Sequence, residues 1–182
     1  MITLSHIDAG YDGKSVFKDF SLTFPSSGRV ALMGESGSGK TTLLRLLAGL
    51  IKPENGTITG IENQKIAFLF QEDRLLPWRS ALENAALGSS KEKAAQWLKK
   101  LEIEDSSLLP SALSGGMQRR VALARALAFE GSILLMDEPF KGLDEELRSR
   151  VINLVRDAAP LIIFTTHDEQ EAVEMGASVI RL

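Results

Sequence analysis

The run Gly34-Glu35-Ser36-Gly37-Ser38-Gly39-Lys40-Thr41-Thr42 has the residue types and spacing to hold a chain of phosphates. Glycines at 34, 37 and 39 let the backbone turn tightly with consecutive N–H groups facing inward, where no side chain blocks a phosphate oxygen. A helix starting at Lys40 would add partial positive charge at its N-terminus. Lys40 can then reach the β- and γ-phosphates as a point charge, while the Thr41 hydroxyl is placed to coordinate Mg²⁺. The competing reading is a glycine-rich turn that binds nothing. Strand, glycines, Lys-Thr and helix falling in register weigh against it, although the loop alone specifies only a nucleoside triphosphate.

Two further stretches carry chemistry. Ile133-Leu134-Leu135-Met136-Asp137-Glu138-Pro139 puts two carboxylates at the C-terminal end of an apolar strand, the edge at which open α/β sheets bind ligands. Facing the phosphate loop, Asp137 reads as a Mg²⁺ ligand and Glu138 as the base that polarises an attacking water. An ordinary strand also ends in a polar turn, so this reading leans on the loop. Leu113-Ser114-Gly115-Gly116-Met117-Gln118-Arg119 precedes a helix with apolar residues at 121, 124, 127 and 128. Ser114 suits a helix cap, and the two glycines leave N–H groups open to a phosphate. A plain cap and turn would look the same. The order of the three stretches along the chain is what argues for more.

The elements that must position these residues follow from periodicity. Residues 3–11 and 16–24 mix apolar and polar positions in near-alternation around Asp12-Gly13, which predicts an antiparallel hairpin. Residues 30–33, 66–70, 133–136 and 161–164 are short apolar runs too dense for one-sided burial, the pattern of buried parallel strands. Helices are predicted over 40–51, 80–87, 91–101 and 116–128, so a helical stretch interrupts an α/β core. No internal repeat, low-complexity tract or heptad run is visible.

Composition narrows the function classes. At 182 residues the chain builds one sizeable core, and its 44% apolar and 25% charged residues exclude a disordered tail or a fibre. A net charge of -3 argues against a broad electrostatic grip on nucleic acid. Zero cysteines exclude a disulfide framework and a thiolate metal site. Residues 1–12 lack a basic stretch followed by an apolar one, and no run approaches about 18 apolar residues, so neither secretion nor a membrane span is expected.

With its motifs in this order, the sequence resembles the ATP-binding subunits of ABC transporters over nearly the whole chain. The Walker A loop is Gly34 to Thr42, the glutamine loop Phe70-Gln71-Glu72, and the signature Leu113 to Gln118. The Walker B strand ends in Asp137-Glu138, the D-loop is Gly142-Leu143-Asp144, and the histidine switch is Thr166-His167-Asp168. Tyr11 stands in the place of the aromatic that stacks on adenine. The resemblance implies a single domain over 1–182: a P-loop NTPase α/β core (1–74 and 129–182) with an N-terminal antiparallel β-hairpin region, and an inserted helical subdomain (75–128). It implies ATP and Mg²⁺ as cofactors, with Thr41, Gln71 and Asp137 around the metal. Glu138, His167 and Gln71 act in hydrolysis, and Gln71 couples the γ-phosphate to a membrane partner. Glu35, Ser36, Ser38 and Thr42 contact nucleotide with the rest of the loop, and Ser114, Gly115, Gly116, Gln118 and Asp144 contact it across a head-to-tail homodimer.

The same resemblance implies a cytoplasmic subunit lying on the inner face of the cell membrane against an integral permease. If transport is inward, an extracytoplasmic solute-binding protein joins them. A narrower likeness, Phe70-Gln71-Glu72-Asp73-Arg74-Leu75-Leu76-Pro77-Trp78-Arg79 followed by Glu83-Asn84, is to importers of the nitrate, sulfonate and taurine group. Trp78 is either an anchor for the membrane partner or core of the helical stretch. One departure is Lys141, where the family usually has a small residue, so a flexible cation is expected near the dimer interface. Competing functions are an exporter ATPase, or a soluble ABC ATPase acting on DNA or ribosomes, whose relatives carry a coiled-coil insertion or a second cassette absent here. A P-loop kinase has no use for Leu-Ser-Gly-Gly-Met-Gln, and a module that binds ATP without hydrolysis would not need Glu138 and His167.

Overall fold

The computed structural model describes residues 1–11 and 14–182, the side chain of Tyr11 excepted, so the Asp12-Gly13 turn lies outside the described residues. Strands β1 (Ile2–Tyr11) and β2 (Lys14–Phe24) pair antiparallel, as their alternation predicts. Strand β3 (Gly28–Met33) then leads through the glycine-rich loop into helix α1 (Lys40–Leu47). That helix is shorter than the predicted 40–51, because the chain turns out of it at Gly49, whose φ of 67° is left-handed. Next come β4 (Asn55–Thr59) and β5 (Ile66–Leu69). The helices α2 (Ala81–Ala85), α3 (Lys91–Lys100) and α4 (Gly115–Ala128) follow. The chain closes with β6 (Ile133–Met136), α5 (Glu145–Val155), β7 (Leu161–Thr165), α6 (Glu169–Glu174) and β8 (Ser178–Arg181).

Two sheets result. One is antiparallel in the order β2-β1-β4; the other is parallel in the order β5-β6-β7-β3-β8. The third strand of the antiparallel sheet, β4, is absent from the sequence reading because its residues Asn-Gly-Thr-Ile-Thr carry a single apolar position. The apolar runs of β3, β6 and β7 are buried on both faces, whereas the edge strand β5 leaves Ile66 and Phe68 half-buried. Leu134 and Met136 of β6 and Ile162 and Phe164 of β7 pack with α4 and α5, while Ile133, Leu135, Leu161 and Ile163 point into a second core shared with α1 and the antiparallel sheet. Successive side chains leave a strand on opposite faces, and helices on one face with a helix and a sheet on the other make every strand position apolar. No helix among the described residues is long and apolar enough to cross a membrane.

One buried cation joins these parts. Arg119 of α4, 5% exposed, reaches past the C-terminal ends of β5 and β6. Its Nη1 donates to the carbonyls of Phe70 (2.6 Å) and Gln71 (3.3 Å) and to the carboxylate of Asp73 (3.1 Å). Its Nη2 donates to the carbonyls of Asp137 and Glu138, both at 2.7 Å, and its Nε to that of Pro139 at 3.4 Å. Guanidinium is planar and forked, so it satisfies two strand ends at once, which an ammonium does not. Arg119→Met should therefore leave Asp73 and several carbonyls without their partner and cost about 3–5 kcal/mol. A thermal melt should fall by roughly 10 °C, and a drop of under about 2 °C would show that the cross-link is dispensable.

Candidate functional site

The glycine-rich loop curves around the Lys40 side chain. The Lys40 ammonium donates to the carbonyls of Gly34 (2.9 Å) and Glu35 (2.7 Å) and lies 3.4 Å from the Ser38 hydroxyl, which holds its charge within the bend. The curve requires glycine at 39. Its φ of 102° is left-handed, and a Cβ there would meet the Phe17 ring at 2.7 Å and the Val16 side chain at 2.9 Å. Strand β2 thus packs directly against the loop, a contact that the sequence did not announce.

Across from the loop stands Asp137, buried at the end of β6. Its two oxygens are divided between hydroxyls: Thr41 Oγ1 donates to Oδ2 and Thr165 Oγ1 to Oδ1, each at 2.8 Å. A carboxylate and a hydroxyl converging in this way form the hard oxygen set that suits Mg²⁺, which is usually bound through one or two carboxylates together with substrate phosphates.

Glu138 follows with a φ of 48°, a left-handed conformation that costs a non-glycine residue roughly 1–2 kcal/mol. Two bonds hold it there, Thr165 Oγ1 accepting from its N–H at 2.8 Å and Arg119 donating to its carbonyl. The side chain is thereby turned into the cleft. Its Oε2 accepts from Lys141 Nζ at 2.8 Å and from Gln71 Nε2 at 3.3 Å, and its Oε1 lies 3.4 Å from His167 Nε2. Burial opposes the charge on Glu138. The Lys141 hydrogen bond, the Lys141 and His167 charges and the Gln71 amide more than offset it, so the carboxyl titrates below its ordinary value.

These residues enclose a cleft of about 270 Å³. Ser36, Gly37, Gly39, Lys40, Thr41 and Thr42 form one wall; Gln71, Asp137, Glu138 and His167 form the other, with Val16 at the rim. The sequence named all of them except Val16. The signature residues do not belong to this cleft. Ser114 caps α4 by accepting from the Met117 N–H at 3.2 Å, and Gly115 and Gly116 form the first turn. Gln118 donates to the carbonyls of Pro110 (3.0 Å) and Leu113 (3.1 Å), tying the signature loop to its helix. Asp144 caps α5 through the Leu147 N–H at 2.9 Å, and it too stands outside the cleft. The Tyr11 side chain lies outside the described residues. Arg119 and Thr165 were missed as site residues. Arg119 closes the quoted signature run, but a buried arginine there has no periodic signal.

The segment after Gln71 is fixed by Asn84, a fully buried amide. Its Oδ1 accepts from the Leu76 N–H at 2.7 Å, and its Nδ2 donates to the carbonyls of Leu76 (3.1 Å), Arg79 (2.8 Å) and Ser80 (3.1 Å). The loop so held turns Trp78 outward, 72% exposed, which removes the core reading of that residue.

The comparisons with known proteins agree with this geometry. A family model described as ABC transporter matches residues 17–141. An aliphatic sulfonates import ATP-binding protein, SsuB of Delftia acidovorans, is 39% identical over the whole of this chain and 79% of its own length. The SsuB of Zymomonas mobilis is 41% identical over all of this chain and 81% of its own, and the taurine import ATP-binding protein TauB of Escherichia coli O157:H7 is 36% identical over 100% and 79%. Among solved structures, the ATP-binding cassette MJ0796 in a dimeric post-hydrolysis state bound to ADP and Pi matches with a TM-score of 0.89 and 30% identity, over all of this chain and 94% of that one. With the phosphate loop, the strand-end carboxylates and the signature in the relations described, this chain belongs to the ATP-binding proteins of ABC transporters and is an ATP hydrolase of that family.

Proposed function

We propose that this chain powers a membrane importer of a small solute such as a sulfonate, taurine or nitrate, by hydrolysing ATP on the inner face of the cell membrane. The observation that carries the reading is the convergence of Lys40, Thr41, Asp137, Glu138, Gln71 and His167 on one cleft. The import names of the sulfonate and taurine relatives supply the cargo class.

In this reading the loop amides and Lys40 bind the β- and γ-phosphates, and Tyr11 stacks on the adenine. Thr41, Asp137 and Gln71 would hold Mg²⁺, which when bound neutralises phosphate charge. Glu138 takes a proton from the water that attacks the γ-phosphorus, and ADP leaves. His167, 3.4 Å from the same carboxylate, orients the attacking side. Glu138→Gln should keep ATP binding and lower turnover by roughly 10² to 10⁴, the usual worth of a positioned base. Phosphate release at the wild-type rate would reject the assignment.

The second half of the site comes from a second copy of the chain. Ser114, Gly115, Gly116, Gln118 and Asp144 stand outside the cleft of their own chain, and a two-fold dimer would bring them to the partner's nucleotide twice over. The dimeric state of the MJ0796 cassette supports this. Lys40→Ala and Ser114→Arg chains should each be inactive, while their mixture regains hydrolysis through one intact composite site. No gain in demonstrated mixed dimers would count against it.

A permease subunit docks against residues 75–84, with Trp78 as the apolar anchor, and a solute-binding protein delivers cargo from outside. An exposed tryptophan on a loop rigidified by Asn84 fits such a surface, because anchors of this kind are aromatic and preorganised. Trp78→Ala should shift the melting temperature by no more than about 2 °C, as surface substitutions do, and leave basal hydrolysis intact. In the assembled transporter it should uncouple hydrolysis from uptake, and unchanged uptake would refute the docking.

A further inference from the structure

Glu138 stands between two cavities. One is the phosphate cleft; the other is a recess of about 480 Å³ lined by Glu138, Lys141, Thr166, His167, Asp168 and Glu171. Lys141 lines the recess and not the phosphate cleft. A tight turn brings it there, with the Lys141 N–H donating to the Glu138 carbonyl at 3.3 Å and the side chain folding back to Oε2 at 2.8 Å. The backbone of Glu138 is pinned at both its N–H and its carbonyl, so the direction of its carboxylate is set by its side-chain partners. Of these, Lys141 makes the shortest contact. The Lys141 side chain is itself 66% exposed, against 18% for Glu138, so it can leave without opening the core.

We propose that Lys141 is a positioning residue that occupies a lone pair of the Glu138 carboxylate within the cleft, and that release of this tether limits ATP hydrolysis by the subunit on its own. The inference rests on Glu138 being the base. A carboxylate accepts a proton from water only through a lone pair aimed at that water; Oε2 already accepts from both Lys141 and Gln71, and Oε1 faces His167 at 3.4 Å. When the ammonium moves off, that Oε2 lone pair is free to face the attacking water.

The test compares steady-state phosphate release by the full chain and its Lys141→Met, Lys141→Arg, Glu138→Gln and Lys141→Met/Glu138→Gln variants, with a thermal melt of each. Lys141→Met should raise kcat about two- to fivefold, the rate equivalent of one partly exposed ion pair. KM for ATP should stay unchanged, because Lys141 does not line the phosphate cleft. Lys141→Arg should retain the wild-type rate, and the double variant should show no gain. An unchanged or lower kcat in Lys141→Met, a change confined to KM, an arginine variant as fast as the methionine one, or a gain accompanied by a large loss of melting temperature would each overturn the tether. Wild-type turnover in Glu138→Gln would instead overturn the assignment of the base, so the two failures are distinguishable.

Discussion

The arrangement depends first on the Arg119 guanidinium. Parallel strands β5 and β6 end side by side, and the segments leaving them, residues 70–73 and 137–139, carry Gln71 and the two strand-end carboxylates Asp137 and Glu138. Carbonyls at such ends have no ladder partner, and buried without one each would cost about 1–3 kcal/mol. Arg119 satisfies five of them from a single side chain, with Asp73 balancing its charge. The same residue belongs to the helix that begins at Ser114. The signature helix, residues 70–73 and the end of β6 are thus held by one buried ion and cannot shift far without breaking its bonds.

On that frame the site chemistry is an exercise in placing oxygens. Asp137 is buried, yet both of its oxygens are engaged by hydroxyls from different elements, Thr41 at the start of α1 and Thr165 at the end of β7. Three segments that converge only through the sheet order therefore meet at one carboxylate. Thr165 serves twice, since the same hydroxyl oxygen accepts from the Glu138 N–H. The left-handed backbone at Glu138 is the conformational cost of turning its side chain from the strand end into the cleft, and the Thr165 and Arg119 bonds offset it.

Much of this was legible in the sequence because phosphate loops, buried parallel strands and strand-end carboxylates are encoded locally. The phosphate loop, the two carboxylates and the parallel strands β3, β5, β6 and β7 fall where pattern placed them, while β8 was not among the apolar runs. What pattern did not give is non-local. Strand β4 exists because its backbone pairs with β1, and Gly56 lets that backbone pass within a close approach of the His6 carbonyl; a Cβ at 56 would lie 2.4 Å from it. The exposure of Trp78 follows from four hydrogen bonds of a buried Asn84, and nothing in the order of residues 75–84 marks that amide as an interior bracket. Arg119 and Lys141 likewise act through partners far from them in sequence or folded back by a turn.

The separation of the signature from the cleft has a structural counterpart at the D-loop. A Cβ on Gly116 would lie 3.7 Å from the Gly142 carbonyl, so the first turn of α4 and the turn before α5 adjoin. Gly142 is four residues beyond Glu138, and Lys141 sits between them. In the proposed dimer a partner's nucleotide pressing on Gly115 and Gly116 would thus bear on the turn that positions Lys141 in the first chain. Glu138 and the first turn of α4 are thus joined within one chain by residues 138–144. In that arrangement, closure over one nucleotide would bear on Glu138 of the opposite site through residues 138–144.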